Sequence, residues 1–182
     1  MSAAYLNYVD QPGLLSALSA ARLSPRYIGT TLYVSDLAKA QSLAAAYNPL
    51  PAIQQQALAT VAATLAARIA AGFIYGGVLV ACDDAAQGKI DRVANMAENI
   101  LAARSAVTWT SRTWPPFALG NPGVPIATAQ DMVAFGTAVG DYVADNEFHA
   151  ADLTAQIMAS TATAASIAAL DLDNSKGTWP TA

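Results

Sequence analysis

The sequence predicts an α+β fold, predominantly helical, with small β-hairpins packed against three to four helices and a long helix in the C-terminal half. Three observations predict it. Apolar residues make up 54% of the 182 and charged residues only 12%, against roughly 25% charged in an average globular domain. Much of that apolar share is alanine, which favours helix. Apolar side chains recur at helical spacing over 52–71, from 84 and again from 129, whereas β-branched and aromatic runs around 73–80 and 107–126 are broken by glycine or proline. A chain of this length makes one domain, or one domain with an extension, and has room for a proper core.

Residues 1–50 read as an N-terminal attachment arm. Tyr5, Tyr8, Tyr27, Tyr33 and Tyr47 place five of the seven tyrosines here. GTTLYVSD (29–36) has the composition of a short strand, and VSDLAKAQSLAAAY, from 34, that of a helix with Ser35 as N-cap. Asn48-Pro49-Leu50-Pro51 then stops any helix, because proline lacks the amide donor and clashes with the preceding turn. A boundary is expected there, followed by a module over 51–182. Tyr5, Tyr8, Tyr27 and Tyr33 are the candidate partner-binding residues, since tyrosine buries area while keeping a polar tip. The alternative, that the arm folds onto its own domain, stands beside this.

Within the module, AIQQQALATVAATLAARIAA (52–71) carries Ile53, Ala57, Val61, Leu65 and Ile69 at every fourth position, one apolar stripe of a helix that Gly72 ends. The stretch GFIYGGVLVACDDAAQGKIDR (72–92) allows three readings. A membrane span needs about 20 apolar residues, but only Ile69 to Cys82, 14 residues, is free of charge. A phosphate loop needs G-x-G-x-x-G or Gly-Lys-Ser/Thr, and neither occurs. Phe73-Ile74-Tyr75 and Val78-Leu79-Val80 flanking Gly76-Gly77 instead predict a hairpin over 73–81 with a two-residue turn, Phe73 and Tyr75 on one face and Ile74 on the other.

Asp83 and Asp84 stand where a carboxylate caps a new helix, with Gln87 three residues past Asp84 in capping-box spacing. That helix is expected to run to about Arg104, burying Ile90, Val93, Ala97, Ile100 and Leu101. A tryptophan loop follows over 107–126, holding Trp109, Trp114 and Phe117, with short strands at 107–110 and 124–126 and a turn at Asn121-Pro122-Gly123. Packing of its aromatics onto the helices is preferred to a binding surface. Thr128 caps the long helix, whose buried face runs through Met132, Phe135, Val139, Tyr142, His149, Leu153 and Ile157. Gly136 and Gly140 weaken that helix but permit close approach by a neighbour. Thr161 or Thr163 starts a short last helix holding Ile167 and Leu170.

Chemistry-bearing residues do not converge. His149 lies within helical reach of Asp145 and Asp152, but no nucleophile accompanies it, and a helix-face histidine is the simpler reading. Cys82 is alone, which leaves no intrachain disulfide and no thiolate metal site. Asp83/Asp84 and Asp171/Asp173 are far apart, with nothing to aim them at one substrate. No catalytic, cofactor-binding or metal-ligating residue is assigned, and no enzyme activity is expected. The formal charge of −4 with scattered cations argues against nucleic acid as a partner. The N-terminus lacks the basic flank and apolar core of a signal peptide.

The order of segments carries a resemblance. GFIYGGVLVACDDAAQGKI, VTWTSRTW, GVPIATAQDMVAFGTAVGDYVADNEFHAADLTAQI and ASIAALDLDNSKGTWP, together spanning about 71–180, resemble a C-terminal domain of tailed-bacteriophage tail-fibre and baseplate-region proteins. The shared pattern is an aromatic-glycine hairpin with an aspartate leading into a helix, a tryptophan-bearing segment, a long helix and a closing Trp-Pro. Asn174-Ser175-Lys176-Gly177 before the closing tryptophan departs from it, and residues 1–50 lie outside it. The resemblance implies a virion structural protein of the tail, assembled in the host cytoplasm, with other tail proteins as partners and no enzymatic activity. An assembly chaperone that leaves before the virion is complete is the alternative. The low charge also predicts that companion subunits cover part of the surface, so a homo-oligomer is expected.

Overall fold

The computed structural model describes residues 4–6, 11–28, 31–117 and 122–181. In chain order the elements are β1 (Ala4–Leu6), α1 (Leu14–Ala20), β2 (Arg26–Ile28), β3 (Thr31–Val34), α2 (Leu37–Ala46), α3 (Leu50–Ala71), β4 (Phe73–Tyr75), β5 (Val78–Val80), α4 (Asp84–Leu101), β6 (Arg112–Trp114), β7 (Val124–Ile126), α5 (Ala129–Met158) and α6 (Ala164–Ala169). The fold is α+β and mainly helical, and α5 is the long C-terminal-half helix, 30 residues. Two compact units divide the chain: Met1–Leu58 with Gln156–Leu170, and Ala59–Ala155 with Asp171–Ala182.

In the first unit β3 is the centre of a three-stranded antiparallel sheet, order β1-β3-β2. Leu32 and Val34 face its core, joined there by Leu14, Leu18, Leu23 and Ala40. Helix α1, which supplies two of those leucines, was not expected from the sequence. Its seven residues give too short a periodic signal, and Gly13, at φ 81, opens it. The cap of α2 is Asp36 and not Ser35. The Asp36 carboxylate accepts the Lys39 amide at 3.0 Å, the bond an N-cap makes three residues ahead.

Tyr47–Pro49 separate α2 from α3. Pro51 sits inside the first turn of α3, where its missing N–H has no intrahelical partner to lose, and Asn48 Oδ1 accepts the Leu50 amide at 3.0 Å. The stop at 48–51 thus also contains the next start. Farther along the chain, Ile157 is fully buried, and its carbonyl accepts from Gln54 Nε2 at 2.8 Å. Thr163, and not Thr161, begins α6, through a reciprocal capping box with Ser166.

In the second unit Gly72 ends α3 at φ 85, and β4 pairs with β5 around Gly76 and Gly77, at φ 56 and 81. These paired positive φ values are those of a tight hairpin turn with the right-handed twist of its strands. Phe73 stacks on Tyr142 (centroids 5.1 Å apart), Tyr75 meets Phe135 edge-on at 5.1 Å, and Ile74 points outward, 55% exposed. Asp83 caps α4 by accepting the Ala86 amide at 2.8 Å. The expected box at Asp84 does not form: the Gln87 side chain donates to the Cys82 carbonyl instead.

Helix α4 ends at Leu101, three residues early, because Ala103 turns left-handed (φ 53) and the amides of Ala103 and Arg104 close back on Ile100 and Asn99. Leu101, expected inside, is 50% exposed. The strand expected at 107–110 lies instead at 112–114, where Trp114 pairs with Val124 and Arg112 with Ile126. That register sets the Trp114 ring 5.6 Å from Phe135, whereas Trp109, upstream, reaches the same region through its indole N–H to the Ile126 carbonyl.

Helix α5 starts at a reciprocal pair: Thr128 Oγ1 accepts the Asp131 amide, and the Asp131 carboxylate accepts the Thr128 amide. Met132, Phe135, Val139, Tyr142 and Leu153 are buried along it. Of its two glycines only Gly136 marks a close approach. A Cβ there would stand 2.9 Å from Ala94 Cβ on α4, while one on Gly140 would meet nothing within 4 Å.

Candidate assembly surface

Strand pairing separates the tyrosines proposed for partner binding. Tyr33 is half-buried on β3, opposite Arg26 on β2 and Tyr5 on β1, so these three occupy one row across the sheet. Tyr33 and Arg26 lie on the face opposite Leu32 and Val34, because successive residues of a strand alternate sides. Tyr27 pairs with Leu32 and belongs to the other face, yet it is 47% exposed at the edge strand. Tyr8 falls outside the described residues. The structure thus brings Tyr5 and Tyr33 into register and sets Tyr27 apart. Tyrosine and arginine are enriched among the residues that carry binding energy at protein interfaces, and the row presents both.

The second unit adds exposed apolar side chains: Ile74, expected on the outer face of the hairpin, Phe117, expected to pack inward, and Phe148, which sequence reasoning did not single out. The Phe117 amide donates to the Leu79 carbonyl at 3.1 Å, and Leu79 stands across the hairpin from Ile74. Phe117 is 47% and Ile74 55% exposed. Phe148 on α5 is 71% exposed. One signal was available for it: Phe148 immediately precedes His149 and falls off the stripe from Met132 to Ile157. Trp109 and Trp114 pack inward as preferred from sequence, Trp109 also receiving the Arg112 guanidinium over its ring at 4.4 Å. Phe117 does not.

The residues with chemical potential are engaged structurally. Burial, reinforced by Asp83, pushes the Cys82 thiol up to about 11, which leaves it protonated and unreactive near neutrality. His149 packs edge-on against Trp179 at 4.9 Å. Asp171 is buried, which by itself would raise its carboxyl. The amides of Thr178 and Lys176 and the Thr178 hydroxyl outweigh that and hold it below the ordinary value. Hydrogen bonds from Ser175 hold Asp173 low as well. Both carboxylates therefore serve the loop that contains them. Among the described residues no three His, Cys, Asp or Glu side chains gather as a metal site would require.

One depression, about 240 Å³, is lined by Gln156, Ala159, Thr161, Ala162, Ser166 and Leu170, a set without an acid, base or activated nucleophile. The Asp83/Asp84 carboxylates line a separate open hollow with Ala66, Ile69 and Ala70. Among the described residues no helix is long and apolar enough to cross a membrane.

The profile of a family described as a domain of unknown function (DUF4376) matches residues 52–172. No curated protein and no solved structure matches.

Proposed function

The chain belongs to the DUF4376 family, a domain of unknown function, and from that premise we propose that it is a structural protein of a bacteriophage tail, a fibre- or baseplate-associated component that acts through protein–protein contact. The observation that carries this reading is the order of motifs from Gly72 to Pro180, which overlaps the family match from Gly72 to Leu172 and resembles the tail-protein domain. The described surface supports a contact role. It offers the Tyr33–Arg26 row and the exposed side chains of Ile74 and Phe117. In this reading Tyr5, Tyr8, Tyr27 and Tyr33 contribute to the contact with other tail proteins, the protein assembles in the host cytoplasm, and it sits in the virion as a homo-oligomer.

Peptide mass spectrometry of purified particles of the encoding phage tests the proposal. Recovery of this polypeptide in stoichiometric amount is the expected result, and its absence would overturn the structural role. Absence combined with loss of infectivity on deleting the gene would identify the alternative, an assembly chaperone that is not retained.

A further inference from the structure

The two ends of α4 carry complementary features. At its start Asp83, Asp84 and Ala85 line an open hollow of about 500 Å³ together with Ala66, Ile69 and Ala70 of α3. Apart from the two carboxylates the lining is apolar, and alanine at three positions leaves room for side chains to enter. One oxygen of Asp83 accepts the Ala86 amide, whereas Asp84 is exposed in the first turn of the helix.

At the other end the chain leaves α4 through a turn that is left-handed at Ala103. The Ala103 amide donates to the Ile100 carbonyl and the Arg104 amide to the Asn99 carbonyl. The Val107 amide then donates to Ser105 Oγ at 3.1 Å. On this hydrogen-bonded turn Leu101 is 50% and Val107 59% exposed, and Arg104, three residues from each, is exposed as well.

Charge decides which exposed apolar patch of the second unit suits an acidic hollow. Phe148 stands next to Glu147, which an acidic rim repels, and Ile74 and Phe117 have no charged residue within four positions. Leu101 and Val107 flank a cation. One chain cannot join its own two features. With a rise of about 1.5 Å per residue the ends of this 18-residue helix lie about 26 Å apart, against a screening length of about 8 Å at physiological ionic strength.

We infer that copies of this chain associate head to tail through α4, the Leu101–Arg104–Val107 turn of one copy entering the Asp83–Asp84 hollow of the next. Leu101 covers the apolar lining, and Arg104 meets Asp84 at the rim. The contact joins unlike surfaces, so it repeats, closing into a ring or extending as a filament. The inference rests on the homo-oligomer reading above and assigns the surfaces that make it.

Light scattering of the full chain over a concentration series tests the contact, with circular dichroism to check folding. The wild-type chain is expected to associate. Arg104→Glu or Asp84→Arg sets like charges face to face and weakens association about tenfold or more, and Leu101→Ser weakens it in the same assay. The double variant Arg104→Glu/Asp84→Arg restores association, because the pair is present in reverse. Arg92→Glu makes the same charge change elsewhere on α4 and leaves association unaltered. Should Asp84→Arg not fold, Arg104→Glu and Leu101→Ser decide the matter, and wild-type association by both overturns the inference. A chain that associates but is indifferent to the reversals, a double variant no better than the single ones, or an equal loss in Arg92→Glu overturns this contact and leaves the homo-oligomer reading standing. A wild type that stays monomeric up to about millimolar concentration overturns both.

Discussion

Gly136 and Gly140 lie one turn apart on α5, and replacing each by alanine has the same local effect with opposite net outcomes. In a helix interior the change from glycine to alanine gains about 0.8–1.0 kcal/mol, because the unfolded chain loses freedom it no longer has to give up. At Gly140 nothing lies within 4 Å of the new methyl, so the whole gain of about 1 kcal/mol is realised. For a protein of this size that raises Tm by about 2–4 °C.

At Gly136 the methyl would stand 2.9 Å from Ala94 Cβ and 3.6 Å from Ile90 Cγ2. Neither neighbour yields easily: Ala94 has no rotamer to change, and Ile90 is fully buried. Overpacking of this kind costs about 1–3 kcal/mol, which cancels or exceeds the helix gain and leaves Gly136→Ala neutral to about 2 kcal/mol destabilised. Thermal unfolding of the two variants followed by circular dichroism measures the difference directly. A Gly136→Ala chain as stable as Gly140→Ala would show that α4 and α5 do not meet at Ala94.

Other outcomes follow from the same reasoning. Gly77→Ala in the hairpin turn meets no atom within 4 Å but holds φ 81, so it loses about 1–2 kcal/mol from backbone strain alone, measurable by urea denaturation. Asp83→Ala removes the α4 cap and lowers stability by about 1 kcal/mol in the same assay. Phe135→Ala, at a fully buried site between Tyr75 and Trp114, costs about 3–5 kcal/mol. Cys82 reacts slowly with iodoacetamide at pH 8 in the folded chain and at the ordinary thiol rate in urea. With its folded value raised from 9.0 to about 11, its contribution to stability is present below 9.0 and lost as the pH rises toward 11.

Asp171 behaves in the opposite sense. Its folded value lies below 3.8, so its contribution holds above 3.8 and is lost as the pH falls through the lower folded value. The Trp179 indole N–H resonance is expected to leave its hydrogen-bonded position in that acid range and not before.

The hairpin at 73–80 was legible because Gly76-Gly77 between two β-prone runs leaves few other conformations, and helices α3, α4 and α5 because their apolar spacing extends over several turns. The preferred inward packing of Trp109 and Trp114 followed from the size of their rings. Asp36 caps α2 where Ser35 was expected, and of Asp83 and Asp84, either of which was expected to cap α4, it is Asp83 that does so. Adjacent residues of these pairs are equally able to cap, and only the position of the first helical turn selects between them. The strand misplaced at 107–110 failed differently: Val107 to Thr110 have the better composition, but Arg112–Trp114 find the partner, and a strand exists only where its hydrogen bonds are met.

The sequence by itself determined the class of fold, the order of its main helices and the positions at which glycine and proline redirect the chain, since these depend on neighbours within a few residues. The tertiary structure alone decided which tyrosines share a face, which glycine of α5 is needed, and that Trp179 is seated against Arg68 and His149. Those facts depend on contacts between residues up to 112 positions apart, and no local propensity records which distant partner a side chain will meet.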